Sequence, residues 1–142
     1  MTNRLAEAIK AEAARIGADP QDFATVMSYE TGGTFDPWQK GPTTKWGTHR
    51  GLIQMGAPQR QQFNYYKGMP IEDAVKASAD YLAANGFEPG MGLLDMYSII
   101  NAGGPGRYNA SDEAAGGAPG TVLDKVAEPM EGHKAKAAAL LA

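Results

Sequence analysis

The sequence predicts a mainly α, single-domain protein whose short irregular or β middle segment forms a cleft. Apolar residues recur at helical spacing on both sides of the middle of the chain. Residues 31–58 are instead rich in glycine, proline, threonine and tryptophan, a composition typical of loops and short strands. A chain of 142 residues can bury one hydrophobic core but is short for two. Residues 1–142 are therefore expected to form one domain.

Two helices are predicted before the middle segment. Large aliphatic residues at helical spacing indicate an amphipathic helix over residues 3–16, which Gly17 ends. Asp19 followed by Pro20 is a start signal, because aspartate caps free amides and proline fits the first helical position. The second helix is therefore expected to run from Pro20 to about Glu30.

Glu30 stands out on this second helix. Phe23, Val26, Met27 and Glu30 are spaced i, i+3, i+4 and i+7, so the glutamate shares the face that the apolar residues bury. Burial penalises the charged form of a carboxyl group, and the negative end of the helix dipole acts in the same direction. We expect both effects to raise the pKa of Glu30 and to make it a proton donor.

The remaining elements follow from periodicity and from glycine and proline punctuation. Residues 104–120 combine Gly, Ala, Pro, Ser and Asp, which predicts a flexible loop or lid without secondary structure. Helices are expected at about 58–67, at 70–85, at 93–101, and once or twice in 121–142 with an interruption at Pro129.

Composition and charge exclude several classes of function. The net charge of -3 and the lack of a dense basic cluster argue against nucleic-acid binding. No apolar run is long enough to span a membrane, and the amino terminus lacks the apolar core of a signal peptide. His49 and His133 are far apart and are expected at the surface, so neither a metal site nor a cofactor is predicted.

Glycoside cleavage is a reaction that a raised-pKa glutamate can serve. It needs an acid at the bridging oxygen and usually a second carboxylate. Asp36 is the nearest candidate, but Gly32 and Gly33 lie between it and Glu30, so the spacing leaves open whether the two face one cleft. For Trp38 and Trp46 the sequence favours cover over a small core, with stacking on sugar rings as the alternative.

Four motifs in order resemble the soluble-type lytic transglycosylase family of lysozyme-like proteins, which includes phage-borne members. They extend over about residues 23–103, and order and spacing make the set more specific than any one of them. The motifs stand here as Glu30-Thr31-Gly32, Gly51-Leu52-Ile53-Gln54, Tyr81-Leu82, and Ile99-Ile100-Asn101-Ala102-Gly103.

The resemblance implies a lysozyme-like fold and cleavage of the bond between MurNAc and GlcNAc in peptidoglycan. It implies that Glu30 is the single acid/base, that Gln54 and Asn101 line the glycan cleft, and that Tyr81 packs or hydrogen-bonds beside the acid. The family tyrosine before Asn-Ala-Gly is Ile100 here. That departure keeps two alternatives open: a hydrolytic muramidase that uses Asp36, and a non-catalytic structural subunit of a virion or envelope.

The expected partners are peptidoglycan glycan strands and other phage virion or lysis proteins. The resemblance and the absence of a signal peptide predict association with a phage virion or delivery to the periplasm and cell wall. Many cell-wall enzymes are cationic, whereas this chain is mildly acidic, which favours attachment through another protein.

Overall fold

The computed structural model describes residues 3–142 and confirms a mainly α protein with a small antiparallel hairpin. The helix α2 lies at the centre, packed between α1, α5 and α7, while α4 packs on α1 and α6 packs on α5. In chain order the elements are α1 (Arg4–Ile16), α2 (Pro20–Glu30), β1 (Lys40–Thr44), β2 (Gly47–Arg50), α3 (Ala57–Gln62), α4 (Ile71–Ala84), α5 (Leu93–Ala102), a 3-10 helix (Glu113–Ala115), α6 (Val122–Ala127) and α7 (Glu131–Leu141).

The first two helices begin and end where local chemistry requires. Asn3 accepts a hydrogen bond from the amide of Ala6 at the start of α1. Gly17 ends this helix at a φ of 76°, and a β-carbon there would overlap Pro89. Asp19 accepts from the amide of Gln21 at 2.8 Å and so caps α2. Since these capping signals lie next to the helix ends in sequence, the sequence predicts the boundaries well.

The core forms around the apolar face of α2. Phe23, Val26 and Met27 are fully buried, as the helical spacing predicts. They join fully buried side chains from other helices and from the loop after the hairpin, among them Leu52, Leu82, Met96 and Ile99. This packing fixes the carboxyl end of α2, where Glu30 lies, relative to the helices around it.

The middle segment contains the hairpin that the sequence left as loops or short strands. Thr43 pairs with Thr48 and Thr44 with Gly47, and the register is irregular between Lys40 and Thr43 at the start of β1. Lys45 and Trp46 therefore form its two-residue turn. An additional bridge between Arg50 and Met55 closes the following loop, which brings the Gly51–Gln54 motif beside the hairpin.

Two predicted elements differ from the structure. The helix expected over residues 58–67 is the shorter α3, because Asn64 adopts a left-handed φ of 55° and the amide of Tyr65 turns back to the carbonyl of Arg60. Residues 104–120, expected to lack secondary structure, contain the 3-10 helix Glu113–Ala115. The break between α6 and α7 at Pro129 agrees with the prediction.

No helix within residues 3–142 combines the length and the apolar character needed to cross a bilayer.

Candidate functional site

A cleft of about 850 Å³ runs between the hairpin and the helices. Its walls come from the turn of the hairpin, the carboxyl end of α2, and residues of α4, α5 and α6. Residues from 111 to 118 add a further wall. Of the residues singled out from the sequence, Glu30, Gln54, Tyr81 and Asn101 all line this one cleft.

Glu30 is the last residue of α2 and opens onto the cleft. The residue is partly buried, lines the cleft and keeps limited contact with solvent. Within residues 3–142 no group forms a hydrogen bond to that carboxyl. Burial raises the pKa of Glu30 to about 8, the negative charge of Asp112 adds to the rise, and Lys125 opposes it. A carboxyl group with this pKa carries its proton at neutral pH and can donate it.

Three tyrosines surround the acid. The rings of Tyr29 and Tyr97 meet edge to face at 5.5 Å. Burial raises the pKa of Tyr81 and of Tyr97, and the nearby charge of Glu30 adds to both shifts. Tyr81 lines the same cleft as Glu30, and no hydrogen bond joins the two side chains among the described residues. Ile100 lines the cleft where the family pattern has a hydroxyl.

Gln54 is held by its own loop. The backbone of Gln54 has a left-handed φ of 60°. The nitrogen of its side-chain amide donates to the backbone carbonyls of Gln39 and Gly51, both at 2.9 Å. The carbonyl of Gln54 in turn accepts from the Nδ1 of His49 at 2.7 Å. The side-chain oxygen of Gln54 is buried against Gly41 and has no hydrogen-bond partner among residues 3–142.

Asn101 connects the acid site to a charge pair whose lysine is buried. Its side-chain oxygen accepts from the hydroxyl of Tyr97 at 3.2 Å and from the ammonium of Lys125 at 3.4 Å. Lys125 also donates to Asp112 at 2.6 Å, and its side chain is only 2% exposed. The side-chain amide nitrogen of Asn101 is buried without a hydrogen-bond partner in the described part of the chain.

The structure does not bring Asp36 into the cleft. Its side chain is exposed and accepts a hydrogen bond from the amide of Trp38 at 2.9 Å, which stabilises the turn before β1. Asp112 is the carboxylate that shares the cleft with Glu30, and it is paired with Lys125. Asp36 therefore does not act as a second carboxylate next to Glu30 in this arrangement.

Sequence reasoning missed Asp112 and Lys125. Lys125 lies one helical turn after Val122, a fully buried residue, so the two share the inner face of α6. A charged residue on an apolar face is the signal that marks Glu30, and it marks Lys125 as well. Asp112 gave no such signal, because its position depends on how residues 104–120 fold back on the helices.

The two tryptophans have different surroundings. Trp38 packs against the core and lies under the guanidinium groups of Arg50 and Arg60, each 5.4 Å from its ring. Trp46 is 47% exposed at the turn of the hairpin and lines the cleft, with the ammonium of Lys45 over its ring. Only Trp46 can stack on a ligand in the cleft.

The histidines are less exposed than expected and are engaged in hydrogen bonds. His49 lines the cleft and bridges Gln54 and the hydroxyl of Thr44. His133 on α7 bonds the buried hydroxyl of Ser28 at 2.8 Å. Among residues 3–142 no group of three or more His, Asp or Glu side chains is arranged to hold a metal ion.

The chain matches no known protein-family model, no curated protein and no solved structure. The interpretation of the cleft therefore depends on the four motifs and on the geometry described above.

Proposed function

We propose that this protein cleaves the glycan strands of peptidoglycan at the bond between MurNAc and GlcNAc, with Glu30 as a single acid/base. The observation that carries the proposal is the buried carboxyl of Glu30, whose pKa is raised to about 8 inside a cleft of about 850 Å³. Gln54 and Asn101 support it, since both line the same cleft as Glu30.

A lysozyme-like fold is part of the same proposal. A helix that ends at the acid, a hairpin on one side of the cleft and helices on the other support it. The order of the four motifs along the chain gives the second line of support.

The reaction follows from having one carboxylate available. Glu30 donates its proton to the bridging oxygen, and the bond from that oxygen to the anomeric carbon of MurNAc breaks with its electron pair going to oxygen. The Glu30 carboxylate then accepts the proton of the muramic 6-hydroxyl, whose oxygen bonds to the anomeric carbon. The product is an anhydro sugar, no water is consumed, and Glu30 regains its proton.

A hydrolytic muramidase would need a second carboxylate or an activated water. The exposed position of Asp36 weighs against its use in that role. Asp112 is bound to Lys125 and is correspondingly less available as a base. These contacts favour the transglycosylase product over the hydrolytic one.

The test is to incubate purified peptidoglycan with the wild-type protein, with Glu30→Gln and with Asp36→Asn, and to identify soluble fragments by mass spectrometry. We expect the wild type and Asp36→Asn to release fragments one water lighter than hydrolysed ones. Glu30→Gln should lose at least about 100-fold in rate with its fold retained. Fragments of hydrolysed mass that vanish with Asp36→Asn would favour the muramidase, and no release by the wild type would favour the structural-subunit alternative.

Association with a phage virion or lysis machinery completes the proposal. It is supported by the resemblance to a family with phage-borne members and by the acidic net charge of -3, which gives no general attraction to an anionic wall.

A further inference from the structure

The cleft contains a charge pair that the proposed reaction leaves unused. The side chain of Lys125 is 2% exposed, whereas that of Asp112 is 38% exposed, and the two meet at 2.6 Å. An ammonium group is almost never buried to this extent unless it is paired, because removing its charge from water is unfavourable. The pair therefore needs a structural or functional reason.

Asp112 reaches the cleft because the chain on either side of it is tied to the helices. Asp95 on α5 accepts from the hydroxyl of Tyr108 at 2.7 Å and from the amide of Gly106 at 3.0 Å. On the other side the amide of Val122 donates to the carbonyl of Ala110 at 2.9 Å. Between these ties, residues 111–118 cross the cleft, and Lys125 is the side chain that bonds the carboxylate of Asp112.

Tight local packing holds the carboxylate of Asp112 in place. The backbone amide of Gly117 donates to the carbonyl of Asp112 at 2.9 Å. A β-carbon at Gly117 would overlap the Asp112 carboxylate. Gly117 has no left-handed φ, so alanine there would meet this overlap and not a backbone strain. We expect the added methyl group to push the Asp112 carboxylate away from Lys125.

Asp112 and Lys125 line the same cleft as Glu30, and their charges have opposite effects on its pKa. Asp112 disfavours the glutamate anion and Lys125 favours it. The other titratable groups that face Glu30 are neutral near pH 7: Tyr29 on α2, Tyr81 on α4 and Tyr97 on α5. On the hairpin side, Lys45 and His49 line the same cleft. Asp112 and Lys125 are thus the two charged groups that shift the pKa of Glu30.

We propose that Asp112 and Lys125 are positioning residues that hold residues 111–118 against the cleft and together set the proton occupancy of Glu30. The inference rests on the proposed function in one respect, that Glu30 is the acid. Lys125 also holds the oxygen of Asn101, so the pair orients a second group in the same cleft. Neither residue exchanges a proton or a bond with the substrate.

The experiment is an NMR titration of the Glu30 side-chain carboxyl, labelled with ¹³C, in the wild type, Asp112→Asn and Lys125→Met. Asp112→Asn removes the negative charge and leaves the ammonium, so the midpoint of Glu30 should fall by about half a pH unit or more. Lys125→Met leaves the negative charge unopposed, so the midpoint should rise by a similar amount. The double variant should lie between the two single variants.

Opposite shifts are the result that a merely structural role would not produce. Shifts of both single variants in one direction, or no shift in either, would overturn the proposal. Gly117→Ala is a second route, since it displaces Asp112 without removing a charge, and it should lower the midpoint as Asp112→Asn does. If Lys125→Met fails to fold, Asp112→Asn and Gly117→Ala still decide the matter, and unchanged midpoints in both would refute it.

The titration does not depend on turnover, so it separates this inference from the proposed function. Opposite shifts without any cleavage of peptidoglycan would uphold the pair and refute the enzyme. Where the enzyme is active, the alkaline limb of its rate against pH should move with the Glu30 midpoint in each variant.

Discussion

At the scale of single residues, Glu30 makes the stability of the protein depend on pH. Its ordinary pKa of 4.5 applies to the unfolded chain, and burial raises the pKa to about 8 in the folded protein. The folded state therefore binds this proton more tightly. The stability that the proton contributes is fully present below pH 4.5 and is lost as the pH rises through 8.

Glu30→Gln should remove that loss of stability, because glutamine has no proton to release. We expect the variant to gain on the order of 2–4 kcal/mol relative to the wild type between pH 4 and pH 9. Urea unfolding at pH 4, 7 and 9 measures the change. Asp36→Asn, a variant of an exposed carboxylate, should keep the wild-type dependence on pH. Parallel curves for Glu30→Gln and the wild type would contradict the prediction.

Gln54 combines an unfavourable backbone conformation with two useful hydrogen bonds. Its φ of 60° is one that glycine adopts without penalty, while its amide nitrogen binds the carbonyls of Gln39 and Gly51. Gln54→Ala should lose about 2 kcal/mol, since the hydrogen bonds go and the backbone strain stays. Gln54→Gly should recover up to about 1 kcal/mol of that loss. Denaturant unfolding compares the two, and a glycine variant no more stable than the alanine one would refute this account.

At the scale of elements, the two tryptophans near the hairpin differ in their surroundings. Trp38 packs against the core, whereas Trp46 is exposed and lines the cleft. Trp38→Ala should cost about 3 kcal/mol, because Trp38 packs against the core beneath two arginines. Trp46→Ala should change stability by less than about 0.5 kcal/mol, because Trp46 is 47% exposed. If the cleft binds glycan, Trp46→Ala should weaken binding of a soluble muropeptide about fivefold to tenfold in calorimetry. Equal effects of the two variants on stability would contradict this division.

How well each element could be predicted depends on whether its signals are local. Asp19 and Pro20 lie next to the helix that they start, so the sequence predicts α2 accurately. The end of α3 depends on Asn64 in a left-handed conformation, which asparagine adopts less often than glycine. The sequence has no glycine next to Asn64 that would indicate this end. The fold of residues 104–120 depends on distant contacts with α5, and a composition of small residues cannot reveal them.

At the scale of the whole molecule, the same reasoning explains which parts of the cleft the sequence predicts. Glu30 follows from helical periodicity, while Gln54, Tyr81 and Asn101 follow from motif order, and the fold gathers all four. Asp36 was selected by its closeness in sequence, but the turn at Gly32 and Gly33 separates it from the cleft. Asp112 and Lys125 meet in the cleft only because tertiary packing brings them together.

The net charge of -3 leads to a prediction that holds if the protein has the proposed activity on intact cell walls. Sacculi carry many carboxylates on their peptide stems, so an acidic protein approaches them against long-range repulsion. Salt screens this repulsion, because the screening length falls from about 20 Å near 0.02 M to about 8 Å at 0.15 M. The rate of cleavage of sacculi should therefore rise about twofold to threefold over that range, as measured by loss of turbidity. A short soluble glycan fragment, which carries few charges, is the control, and its cleavage rate should change much less. A rate on sacculi that falls with salt would instead indicate that a local cationic feature, such as Lys45 at the turn of the hairpin, dominates attraction to the wall.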